Sequence, residues 1–189
     1  MRLVVLLTGG RSGSDLLQSL FDGHKEILQF PGTIIFNDKL LRIFNYKSPE
    51  KISSNFIKIN KKFFDSRLNK FERHDKLGKK KNRFYRINEF IFKKNFFKYF
   101  NRSKKTKLDI LIALHKAYGS EIEKKKVIIL HIHLFYLLKK FLKYFQLKKD
   151  IKILLTFRDP LVSMCSTINH WLKFNKGYDL TPRTLFTNY

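Results

Sequence analysis

The chain opens on an apolar run, Leu3-Val4-Val5-Leu6-Leu7, that ends at Thr8 and passes directly into Gly9-Gly10-Arg11-Ser12-Gly13-Ser14. A short continuous run closed by glycines reads as a strand. Next, Asp15-Leu16-Leu17-Gln18-Ser19-Leu20-Phe21 has helical spacing, and the short apolar piece Ile27-Leu28-Gln29-Phe30 is stopped by the turn signal Pro31-Gly32. Over 37–126 the pattern changes to Lys-rich stretches with helix-like spacing, as in Leu40-Leu41-Ile43-Phe44, Phe90-Ile91-Phe97-Phe100 and Leu108-Leu111-Ile112-Leu114-His115. Within it, Lys76-Leu77-Gly78-Lys79-Lys80-Lys81-Asn82 reads as a mobile loop. The last third alternates again, with a strand over 127–133, a helix over 135–145, a strand over 151–157 and a helix beginning near Leu161.

Strands alternating with helices predict an α/β fold, a three-layer parallel sheet flanked by helices, with 37–126 as a helical central insertion. In such sheets ligands bind outside the carboxyl ends of the strands. The loop after the first strand and the loop after Phe157 are then expected on one edge.

Composition narrows the class. The 189 residues suit a single domain, and a hydrophobic share of 43% with 20 Phe excludes global disorder. The single Cys165 excludes an internal disulfide framework and points to a reducing compartment. The first strand follows Met1 too closely for a removable signal, and the apolar stretches fall short of the roughly 20 residues a span needs, so a soluble, cytoplasmic protein is expected. The net charge of +25 suits a polyanionic partner. Lys, Asn, Ile and Phe are inflated together, however, and the lysines are scattered, so the charge reads as a solvated surface with no specific nucleic-acid partner.

The first loop has the makings of an anion cradle. Its glycines permit a sharp turn and close backbone approach, the helix start offers N–H donors, Ser12 and Ser14 add hydroxyls and Arg11 adds a cation. No Lys follows Gly13, which argues against the phosphate loop of ATPases and kinases. The loop after Phe157 offers a second set: Arg158 at the strand end, Pro160 suited to a first helical turn, and Ser166 on the helix that follows. Arg158 and Ser166 are placed to converge on one phosphate; the alternative is that Arg158 pairs with Asp159 or a carbonyl and Ser166 packs.

Taken together, Gly9-Gly10-Arg11-Ser12-Gly13-Ser14-Asp15-Leu16-Leu17, then Asp22-Gly23-His24-Lys25-Glu26-Ile27, and then Arg158-Asp159-Pro160 with Ser166 beyond it, resemble the PAPS-dependent sulfotransferase family. PAPS is 3′-phosphoadenosine 5′-phosphosulfate, and the family fold is P-loop-NTPase-like. The resemblance implies that Gly10, Arg11, Ser12, Gly13, Ser14 and Asp15 hold the 5′-phosphosulfate side, with Arg11 stabilising charge on the group transferred, and that Arg158 and Ser166 hold the 3′-phosphate. Asp15 departs from the family pattern, where a second Thr is frequent.

Ile132-His133-Leu134-Phe135-Tyr136-Leu137-Leu138 is similar to the Thr-His-Leu-Pro-x-x-Leu-Leu segment of the cytosolic branch, although the preceding Lys-Thr and the Pro are absent. This similarity implies His133 as catalytic base, with His131 on the same strand face as the second choice. Leu28-Gln29-Phe30-Pro31-Gly32 lacks the carboxylate used by the tyrosyl-protein branch. His24 and Ser163 read as structural. Trp171, beside His170, reads as a core aromatic, the alternative being a place in the cofactor or acceptor pocket.

The implied function is transfer of a sulfuryl group from PAPS, without a metal, to a hydroxyl acceptor, a carbohydrate or small molecule rather than protein tyrosine. The alternative is a non-catalytic basic adaptor for nucleic acid or anionic lipid. Nothing after Trp171 resembles the family's C-terminal loop that closes over the nucleotide, so a C-terminally truncated domain is expected.

Overall fold

A computed structural model describes residues 1–8, 12–68, 84–133, 135–147 and 151–174, with backbone alone at 135, 136 and 170–174. The loop expected over 76–82 lies outside the described residues. Strand β1 (Arg2–Thr8) leads to helix α1 (Ser14–Leu20) and the short strand β2 (Ile27–Gln29). Among the described residues five α-helices follow: α2 (Asp38–Ile43), α3 (Pro49–Ile59), α4 (Lys61–Phe64), α5 (Glu89–Asn101) and α6 (Lys107–Tyr118). The chain then returns through β3 (Val127–His133), α7 (Phe135–Tyr144), β4 (Lys152–Thr156) and α8 (Pro160–Phe174).

All strand pairs are parallel, in the order β2-β3-β1-β4. The crossover from β1 to β2 passes over β3, and the crossover from β3 to β4 passes back over β1. Right-handed connections therefore set α1 and α7 on opposite faces. β1 and β3 are central, and Val5, Leu6, Leu130 and Ile132 are fully buried. β4 lies at the edge of the described sheet, and its residues Ile153, Leu154 and Leu155 are exposed by 48%, 37% and 37%.

Local sequence sets the helix boundaries of the insertion. Asn37, Ser48 and Asn88 each cap a helix by accepting a backbone N–H, from Leu40, Lys51 and both Phe90 and Ile91 respectively. Thr106 and Asp109 form a reciprocal capping box on α6. α6 stops at Gly119, where a Cβ would come within 2.3 Å of the Leu28 side chain. A side chain there would have to push the Leu28 methyl aside.

Many of the abundant Phe residues build the core, although Phe84, Phe90 and Phe157 are exposed. Phe30, Phe36, Phe56, Phe63, Phe92, Phe96 and Phe141 are all less than 2% exposed. Phe30, just past β2, stacks on Phe63 at 5.3 Å and meets Phe56 of α3 and Tyr118 of α6. One aromatic cluster thus joins the insertion to the sheet, each buried ring contributing roughly 1.5–3 kcal/mol. Among the described residues no helix is long and apolar enough to cross a membrane.

Candidate functional site

The parallel register brings three strand ends into one row. Thr8 pairs with His133 on one side and with Thr156 on the other. The loop that begins after Thr8 and the loop that carries Arg158 therefore leave neighbouring strands at the same edge. Ser12 lies across the two, its Oγ 2.8 Å from Thr156 Oγ1. Thr8 Oγ1 is fully buried and has no hydrogen-bond partner among the described residues.

Gly10 and Arg11 lie outside the described residues. Gly13 sits in the left-handed region at φ 82°, ψ 14°, and its carbonyl accepts from Leu17 N to start α1. A side chain there would be strained, which is why glycine is required at this turn. Ser14 is buried behind it, while Asp15, on the first turn, is exposed. α1 spans seven residues, with Asp15 in its first turn.

Beneath this loop lies a buried polar network. Gln18, 2% exposed on α1, donates through Nε2 to the carbonyls of Phe30 and Gly32 at 2.8 and 3.3 Å. Carbonyls can only accept, so the amide orientation is fixed and Oε1 points the other way. That oxygen lies 2.8 Å from His131 Nδ1, with Thr33 Oγ1 at 3.5 Å from the same nitrogen. Oε1 can only accept, so Nδ1 carries the proton and, in the neutral ring, Nε2 carries the lone pair.

Strand alternation puts His131 and His133 on one face, their ring centroids 5.0 Å apart. His131 is 1% exposed, whereas His133, at the strand end, is half-buried. Asp15 joins them from α1: one ligand-capable atom from each of Asp15, His131 and His133 lies within 4.8 Å of the others. The carboxylate that departs from the sulfotransferase pattern thus stands beside two imidazoles. Gln18 escaped the sequence reading; its one signal was a lone amide on the short first helix, one turn after Asp15.

On the second loop, Asp159 caps α8 by accepting Val162 N at 2.9 Å. Arg158 is exposed two residues beyond Thr156, and Ser166 is half-buried on α8. Ser163 is buried and its carbonyl accepts from Thr167 Oγ1, consistent with a helix residue. His24 accepts from Glu26 N through Nδ1 in the loop after α1, also a structural arrangement. The side chains of His170 and Trp171 lie outside the described residues. The structure therefore gathers Ser12 with the strand leading to Arg158, and Asp15 with His131 and His133. Comparison with models of known protein families, with curated proteins and with solved structures finds no match to this chain.

Proposed function

We propose that this chain binds PAPS across the carboxyl edge of its sheet, in a P-loop-NTPase-like sulfotransferase fold, and moves the sulfuryl group to a hydroxyl acceptor. The observation that carries this reading is the row His133-Thr8-Thr156, closed by the hydrogen bond between Ser12 and Thr156. It makes the two loops that resemble the sulfotransferase motifs neighbours. Ser12, Gly13 and Ser14, with Gly10, Arg11 and Asp15, serve the 5′-phosphosulfate, and Arg158 and Ser166 serve the 3′-phosphate.

In the transfer the acceptor oxygen forms a bond to sulfur as the bond from sulfur to the 5′-phosphate oxygen breaks, in line. The acceptor proton passes to His133, the imidazole that stands at the strand end rather than beneath it. Arg11 stabilises charge on the departing phosphate, and adenosine 3′,5′-bisphosphate leaves. His131, tied to Gln18, backs the His133 ring and holds its orientation. A carbohydrate or small-molecule hydroxyl is the acceptor class.

The test is incubation of the chain with PAPS and a panel of sugar and phenolic hydroxyls, scored by release of adenosine 3′,5′-bisphosphate with a matching sulfated product. Turnover lost in His133→Ala with nucleotide affinity retained supports the assignment. Turnover unchanged in that variant refutes His133 as the base.

A further inference from the structure

We propose that Asp15, His131 and His133 form a binding site for a borderline transition-metal dication of the Zn²⁺ class at the carboxyl end of β3. Three features of the molecule converge on this. The first is the donor set, two imidazoles and a carboxylate, with one ligand-capable atom from each lying within 4.8 Å of the others. Imidazole nitrogens suit Zn²⁺, Co²⁺ and Ni²⁺, whereas Mg²⁺ and Ca²⁺ favour sites built from oxygen.

The second feature is independent of the cluster. Imidazoles that hold metals almost always donate their other N–H to a fixed acceptor, which sets the tautomer and raises ligand basicity. His131 has this arrangement: Nδ1 donates to Gln18 Oε1 at 2.8 Å, and Gln18 is locked by the Phe30 and Gly32 carbonyls. A buried glutamine spent on orienting a buried histidine leaves the Nε2 lone pair as the donor. The third feature is rigidity. Both histidines ride on a central strand held by β1 over its whole length, and Asp15 sits on the first turn of the helix that carries Gln18.

Three protein ligands leave a fourth tetrahedral position to water or an anionic oxygen. A metal-bound His133 cannot also accept a proton. Occupancy would therefore inhibit sulfuryl transfer, a consequence that rests on the function proposed above; the metal site itself does not.

The chain, stripped with chelator, is titrated with Zn²⁺ by calorimetry and with Co²⁺ by visible absorption, in parallel with Mg²⁺ and Ca²⁺. One equivalent of Zn²⁺ should bind, with weak or no binding of Mg²⁺ and Ca²⁺. Asp15→Asn, at an exposed position where the fold is not at stake, and His133→Gln should each weaken Zn²⁺ about tenfold or more, and Gln18→Leu by a comparable factor if it folds. Zn²⁺ affinity unchanged in both Asp15→Asn and His133→Gln would assign binding to other surface donors such as His24 or the exposed Cys165 and overturn the proposal. Failure of the chain to bind the nucleotide would leave this result untouched.

Discussion

Ser12 Oγ and Thr156 Oγ1 meet at 2.8 Å although 144 positions separate them in sequence. The contact ties the loop after β1 to the end of β4, and so couples the two halves of the proposed phosphate clamp. Thr156→Val keeps the shape and removes one hydroxyl. It should lower stability by about 1 kcal/mol, the net worth of one such hydrogen bond. In a double-mutant cycle with Ser12→Ala, read by urea unfolding, the pair should show a favourable coupling; additive effects would mean the contact is not made.

Gln18 orders the ground beneath the site. Gln18→Leu leaves the Phe30 and Gly32 carbonyls and the His131 Nδ1–H without their buried partner, and should cost at least about 2 kcal/mol. Nitrogen chemical shifts of the His131 ring should report the proton on Nδ1 in the native chain. A ring protonated on Nε2 alone would contradict the network.

His115, fully buried on α6 and packed 4.0 Å from the Phe30 ring centroid, supplies a pH dependence far from the site. Burial brings its pKa down to about 4, partly opposed by the hydrogen bond from the ring to Leu111 O. The fold thus keeps it neutral, while the unfolded chain takes up a proton near pH 6.5, so stability is lost as the pH falls from about 6.5 toward 4 and the loss levels off below that. Over that span the loss is on the order of 3 kcal/mol. Urea midpoints should show a steeper decline over that interval for the native chain than for His115→Leu; equal slopes would show that His115 is not the cause.

Much of the scaffold was legible in the sequence because the relevant signals are local. The run ending at Thr8 and the following glycines mark a strand and a turn, and Val127-Ile128-Ile129-Leu130-His131-Ile132-His133 has the bounds of β3. The strand expected over 151–157 is one residue longer at each end than β4, since strand ends depend on which partner they pair with. The helical insertion was equally visible through its spacing.

Strand order was not legible. Nothing local says that β1 lies between β3 and β4, nor that the apolar residues of β4 stay half open, because burial depends on neighbours rather than on the strand's own pattern. The two-loop edge was foreseen from alternation alone. The Gln18–His131 hydrogen bond was not, since it joins residues on different elements 113 positions apart. Asp15 read as a misplaced charge only because the imidazoles beside it come from β3.

Calorimetric titration with adenosine 3′,5′-bisphosphate is the sharpest test of the proposed clamp for two phosphate groups at one sheet edge. The native chain should bind the nucleotide, and Arg158→Ala and Ser166→Ala should each weaken it about tenfold, equivalent to roughly 1.4 kcal/mol. A folded chain that binds no nucleotide, or binds it equally well after both substitutions, would contradict the claim.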